Sequence, residues 1–150
     1  MDAFSEKLNN LLVETFRDIL KIEEHMLASI GKMNLSINEV HMIEAVGKNK
    51  AAPKTISELA EDMSITLPSV TNAIKKLESN GFVRKTKSGE DGRSVLVELT
   101  PLGKKIDSAH SYFHRQMVTE LAKELSEQEK NVLTHAIEKL DKFFKGKLEA

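Results

Sequence analysis

Apolar residues recur along this chain at intervals of three and four over most of its length, and they switch to alternation only once. From about Phe4 to Ile30 they fall at Phe4, Leu8, Leu11, Leu12, Phe16, Ile19, Leu20, Ile22, Met26, Leu27 and Ile30, with Glu, Lys and Arg between them. This spacing predicts one long amphipathic helix. Its stripe is wider than one neighbouring helix would cover, so part of it is expected to meet another subunit. Ser36 with Glu39 three residues later forms a capping box, opening a helix that holds Val40, Ile43 and Val46 and is expected to stop at Gly47. Lys48 to Lys54 reads as a polar connector. Thr55 and Glu58 make a second capping box, and Thr66 is the N-cap of the helix after that, with Pro68 in its first turn, where no backbone N–H is needed. Ile56, Leu59, Ala60 and Met63 in the one, and Leu67, Val70, Ile74 and Leu77 in the other, predict that each buries one stripe. Asn80-Gly81 supplies a left-handed stop.

The alternating region follows. Phe82 to Thr86 and Val95 to Leu99 are short strand-forming runs separated by KSGEDGR, which predicts a β-hairpin with a polar tip, Val95, Val97 and Leu99 facing one side and Glu98 the other. Thr100 then caps a helix whose first position is Pro101. Ile106, Ala109, Phe113, Met117, Leu121 and Leu125 stripe that helix. Ser126 and Glu129 form a third capping box before a last helix striped from Val132 to Leu148. The fold class expected is mainly α with one small β-hairpin, in a single domain: residues 36–100 form a compact lobe, and residues 1–34 and 101–150 are long helices that dimerise. Within the lobe Ala60, Ser64 and Val70 have helix-turn-helix spacing: a small residue at a close helix crossing, a small polar residue in the turn, and an apolar anchor in the second helix.

Composition narrows the reading. The chain has 150 residues, 40% of them apolar, enough for one domain with a real core. It has no cysteine, which excludes disulfides and thiolate zinc sites and fits a reducing compartment. The opening MDAFSEKLNN has no basic start, and no run approaches ~18 apolar residues, so a cytoplasmic protein without a membrane partner is expected. Net charge is -1, so any nucleic-acid binding must come from a local patch. Between Leu67 and Leu99 six bases oppose four acids, leaving +2. An enzyme is disfavoured: there is no HExxH, no cysteine nucleophile, no phosphate-cradling glycine loop and no carboxylate cluster around a histidine suited to general acid-base chemistry. A scaffold binding protein through the same lobe differs from a DNA binder in salt dependence, since log affinity for duplex DNA falls by about 0.9 per log salt for each phosphate neutralised.

The second helix of the lobe would present its N-terminal half to base edges. That half offers Pro68, Ser69, Thr71, Asn72, Lys75 and Lys76. Asn72 suits an adenine edge, Ser69 and Thr71 suit bases or phosphates, and the lysines suit phosphates. In the hairpin, Lys87 adds a base, and Asp91 can pin Arg93 for a narrow minor groove. Asp91-Gly92-Arg93, five residues, Leu99-Thr100, two more and Gly103 resemble the wing signature of the MarR family of winged helix-turn-helix repressors. The resemblance extends over nearly the whole chain. It implies a homodimer binding a pseudo-palindromic double-stranded DNA operator, with an effector between the dimerisation helices and the DNA lobe. Gly92 departs from the family, which commonly carries another arginine there, and this puts one phosphate contact in doubt.

Two patterns bear on the effector. His110 and His114 lie one turn apart, His41 is on a helix expected to pack nearby, and Glu23, Glu24 or His25 could complete a tetrahedral zinc site. This resembles a zinc-responsive branch of the family. Ile22-Glu23-Glu24, Ser36-Ile37 through Glu39 and His41, and His110 with Phe113-His114 also resemble the fatty-acid-biosynthesis repressor branch. That resemblance implies no required cofactor and an acyl-chain effector delivered on acyl carrier protein, which strengthens DNA binding. Leu20, Met26, Leu27, Met33, Met42, Ile43, Phe113 and Met117 could line an acyl pocket or simply be core. The lipid reading is preferred, with zinc as the alternative.

Overall fold

Each helix begins where the sequence supplies a side chain to accept the first free N–H groups. The elements run α1 (Ala3–Ser29), α2 (Ile37–Gly47), β1 (Lys54–Thr55), α3 (Ile56–Met63), α4 (Leu67–Ser79), β2 (Val83–Ser88), β3 (Ser94–Leu99), α5 (Pro101–Lys123) and α6 (Glu127–Leu148) in a computed structural model that describes residues 1–30, 34–48, 52–88 and 94–150. Ser36, Thr55 and Ser126 close the three capping boxes, and Thr66 and Thr100 cap α4 and α5. Asp2, which the helical pattern did not single out, caps α1 by accepting from Ser5 N at 2.7 Å. Each such cap stabilises its helix by about 1 kcal/mol.

Two left-handed residues shape the lobe. Ser64 ends α3 at φ 55, and Gly81 follows α4 at φ 83 with Phe82 N donating to Leu77 O at 2.9 Å, the stop expected of Asn80-Gly81. Gly47 differs from its expected role. It has no positive φ, and α2 ends in a right-handed cap at Lys48. A Cβ there would lie 2.6 Å from Asp107 Oδ2 and 2.8 Å from Leu99 Cδ1, so its smallness serves the approach of α2 to α5.

The hairpin is antiparallel, with Val83 opposite Leu99 and Lys87 opposite Val95. A third strand was not foreseen: β1 pairs with β3, Lys54 opposite Val97, giving the order β1-β3-β2. Two residues are too few for alternation to register in a sequence, and the supposed connector therefore ends in the sheet. Asp91, Gly92 and Arg93 at the hairpin tip lie outside the described residues, as do Gly31 and Met33.

The core lies between α2, α3, α4, β3 and the start of α5. Val40, Ile43, Leu59, Val70, Ile74, Leu77, Val97 and Ile106 are all buried. Leu67, expected in the same stripe, is not; at the first helical position its side chain leans back over the preceding turn, beyond the reach of the core. Most of α1 and most of α6 remain uncovered. Phe4, Phe16, Leu121, Val132, Phe143 and Phe144 are each more than half exposed, and α6 buries no residue. Among the described residues no helix is long and apolar enough to cross a membrane.

Candidate nucleic-acid interface and effector junction

The left-handed turn at Ser64 points α4 out of the lobe. Val70, Ile74 and Leu77 fasten its inner face, while Pro68, Ser69, Thr71, Asn72, Lys75 and Lys76 all lie exposed on its outer faces. These six residues are not chemically equivalent. The Ser69 hydroxyl is 2.7 Å from Thr66 Oγ1 within the cap, and Thr71 Oγ1 donates to Leu67 O at 3.0 Å. Lys76 Nζ donates to Glu39 Oε1 at 3.1 Å, where Glu39 also completes the capping box of α2. Lys76 thus ties α4 to α2. Among the described residues, Asn72 and Lys75 make no side-chain hydrogen bond or ion pair, and both side chains face outward, exposed.

Further along, the bases are largely neutralised. Arg84 Nη2 pairs with Glu98 Oε2 at 2.8 Å, and Lys85 Nζ lies 3.3 Å from Glu78 Oε1. Lys87, exposed on β2, makes no ion pair among the described residues. Among the described residues, Lys75 and Lys87 are the bases of this region that make no ion pair.

A second constellation joins the long helices to the lobe. Glu23 of α1 is 3% exposed, and three histidines converge on it. His114 Nε2 lies 2.7 Å from Glu23 Oε1, His110 Nε2 3.2 Å and His41 Nε2 3.5 Å. Of the three acceptable fourth ligands the sequence offered, Glu23 is the one that points in; Glu24 and His25 are exposed. Burial raises the pKa of Glu23, but hydrogen bonds from His110 and His114 and the charge and hydrogen bond of His41 outweigh it and hold the carboxyl below its ordinary value.

The two ring nitrogens Nε2 of His110 and His114 are only 2.9 Å apart. No placement of protons satisfies every contact. If both carry hydrogen, two N–H groups face each other; if one does, the lone pair of the other faces the carboxylate oxygen. On its far side His110 Nδ1 is 3.4 Å from Glu44 Oε2, without hydrogen-bond geometry. Glu23, His41 and His110 offer ligand atoms that all lie within 4.8 Å of one another, so the donor set fits a divalent cation.

Comparisons with known proteins place this geometry. The MarR family profile matches residues 35–95. The transcriptional regulator AdcR of Streptococcus pyogenes is 32% identical over 118 residues, covering 76% of each chain. The chain belongs to the MarR family. The HTH-type transcriptional regulator YhjH of Bacillus subtilis is 34% identical over 86 residues, 57% of this chain, which spans about half (48%) of its length. A crystal structure of FabT from Streptococcus pneumoniae in complex with DNA superposes with a TM-score of 0.86 at 30% identity, over 95% of this chain and 98% of that one. The relatives named are transcriptional regulators, in keeping with the absence of catalytic motifs.

For this MarR-family chain α4 lies where its sequence put it. What the sequence did not reveal is which polar groups are already engaged: the Glu39 tie to Lys76 spans 37 residues, a separation no local spacing rule detects. Of the apolar residues considered for a pocket, Met42 and Ile43 are buried core, Leu27 packs against that core, and Leu20, Met26, Phe113 and Met117 are half-buried. A cleft of about 440 Å³ lies elsewhere, lined by Val46, Pro53, Val97, Leu99, Lys104 and Asp107 among others.

Proposed function

We propose that the chain is a homodimeric, sequence-specific DNA-binding repressor that lays α4 in the major groove of a pseudo-palindromic operator and controls fatty-acid biosynthesis genes through an acyl-chain effector. The observation that carries the DNA reading is the outward first half of α4, with Asn72 and Lys75 uncommitted at its surface. The uncovered apolar faces of α1, α5 and α6 are far larger than scattered surface residues require and support a second copy as their partner. Resemblance to the fatty-acid-biosynthesis repressor branch supports the effector, delivered as acyl-acyl carrier protein. Because Glu23, His41 and His110 come from α1, α2 and α5, anything bound at that junction acts on the angle between the dimerisation helices and the lobe.

A second reading is favoured by one observation, the unsatisfied convergence of Nε2 atoms on Glu23. In that reading zinc, held by Glu23, His41 and His110 with His114 beside them, is the signal. It would accept lone pairs from all these atoms at once and supply a Lewis-acid centre there.

The test is to mix the purified protein with sheared DNA of its own genome at ~150 mM salt, alone, with acyl-acyl carrier protein, and with zinc, and to sequence what is retained. Enrichment of sites before fatty-acid genes, strengthened by acyl-acyl carrier protein, supports the first reading. Enrichment that depends on zinc and disappears in the variant carrying both His110→Ala and His114→Ala supports the second. Retention indifferent to both additions overturns both effector readings.

A further inference from the structure

Two side chains at the start of α4 are apolar and uncovered: Ile65 is 40% exposed and Leu67 49%. Backbone geometry puts them there. Ser64 is left-handed, Ile65 N donates to Ala60 O at 3.1 Å, and the chain then turns into the Thr66 cap with Ile65 and Leu67 on either side of it. A lone exposed leucine needs no explanation. Here, however, the pair is continuous with exposed Pro68 and Ser69, so the whole leading edge of the helix is apolar or neutral.

The second observation is electrostatic. Helices α1, α2, α3 and α6 each carry glutamate in the first turn, as Glu6, Glu39, Glu58 and Glu127 with Glu129, whereas α4 carries no acid there. Helix α5 also lacks one, but its first turn is closed by buried Gly103 against Phe82. A carboxylate in that position stabilises an isolated helix and repels a phosphate. The one helix start that is both uncovered and free of acid is that of α4.

An edge that is apolar at its tip and repels no anion suits a surface whose rim is phosphate and whose floor offers methyl groups. On the base edges of the major groove the apolar group is the C5-methyl of thymine. We propose that Ile65 and Leu67 are specificity-determining residues that pack against thymine methyl groups, beside an adenine edge read by Asn72. The inference rests on the reading of α4 as the major-groove helix, and it adds two residues that carry no hydrogen-bonding group.

The experiment selects a duplex from random-sequence DNA with the full-length protein, then replaces each thymine in turn by deoxyuridine, which removes the methyl and nothing else. The protein is untouched in this arm, so folding cannot confuse it. At one or two thymines per half-site the wild-type protein should bind about fourfold more weakly, the value of one buried methyl-sized group. Ile65→Ala and Leu67→Ala should each be insensitive to deoxyuridine at one of those positions while remaining sensitive at the other. Equal affinity of the wild type for every uracil-containing duplex overturns the inference and leaves the DNA reading intact, as does unchanged sensitivity in both alanine variants. If no sequence is selected by the protein alone, with acyl-acyl carrier protein or with zinc, the DNA reading itself fails and takes the inference with it.

Discussion

Gly103→Ala should destabilise the protein although it lies in a helix, where alanine is normally worth about 1 kcal/mol over glycine. Gly103 is buried in the first turn of α5, and a Cβ built on it would lie 2.1 Å from Phe82 O and 3.3 Å from Leu99 Cδ2. A carbon and a carbonyl oxygen need about 3.3 Å, so backbone must separate from backbone by about 1.2 Å. Neither side can yield by a rotamer change. Phe82 O also accepts the Thr100 N–H at 3.1 Å, and the Phe82 side chain is core. Overpacking costs about 1–3 kcal/mol, and loosening that hydrogen bond adds about 1 kcal/mol. Set against the propensity gain, the net loss is about 1–3 kcal/mol. Gly146→Ala is the control, because nothing lies within 4 Å of its added Cβ in α6, and it should gain up to about 1 kcal/mol. Guanidinium unfolding of both variants at one protein concentration, held fixed because assembly couples to stability, measures the two shifts. They should have opposite signs. A Gly103→Ala protein as stable as wild type would refute the packing of α5 on the start of the hairpin.

Other outcomes follow from single contacts. Ser64→Val should cost about 1–2 kcal/mol, because a β-branched side chain resists the left-handed φ of 55, and Ser64→Gly should not; equilibrium unfolding decides. Glu23→Gln should cost about 1–3 kcal/mol near neutral pH in chelator-treated protein, as buried His110 and half-buried His114 and His41 lose a charged acceptor. The Glu23 carboxyl is held below its ordinary value of 4.5 in the fold, so its contribution is fully present above that pH and is lost as pH falls through the folded value. The stability gap between wild type and Glu23→Gln should accordingly close below about pH 4.5, and a gap that widens on acidification would contradict the sign. Lys75→Ala should weaken binding to all DNA sequences and flatten the salt slope by about one unit. Lys76→Ala, already paired with Glu39, should change the slope less, which a salt titration of both variants resolves.

Periodicity and caps revealed most of this architecture. Three capping boxes, the Thr66 and Thr100 caps and the Asn80-Gly81 stop are local chemistry, and each falls where the sequence placed it. Departures arise where one residue type serves two causes. Gly47 looks like a helix stop but makes room for Leu99 and Asp107; Leu67 has the spacing of the buried stripe but sits one turn too early to be covered. Strand β1 is too short to leave a pattern. In the junction, the one-turn spacing of His110 and His114 was visible, yet the choice of Glu23 over Glu24 and His25 depends on the rotation of α1 against α5. A run of adjacent polar residues does not fix that rotation. Nor can spacing show that Lys76, Arg84 and Lys85 are already paired with acids.

The central claim, that two copies of α4 read a major groove, is tested most directly by diethyl pyrocarbonate interference on the duplex the protein selects, because the reagent modifies purine N7 and the N7 atoms of adenine and guanine lie on the major-groove edge. The account predicts two patches of interference, centred one helical turn of about 10 base pairs apart or a multiple of it, both weakened by Asn72→Ala. A single patch, or tight binding with no N7 interference anywhere, would contradict it.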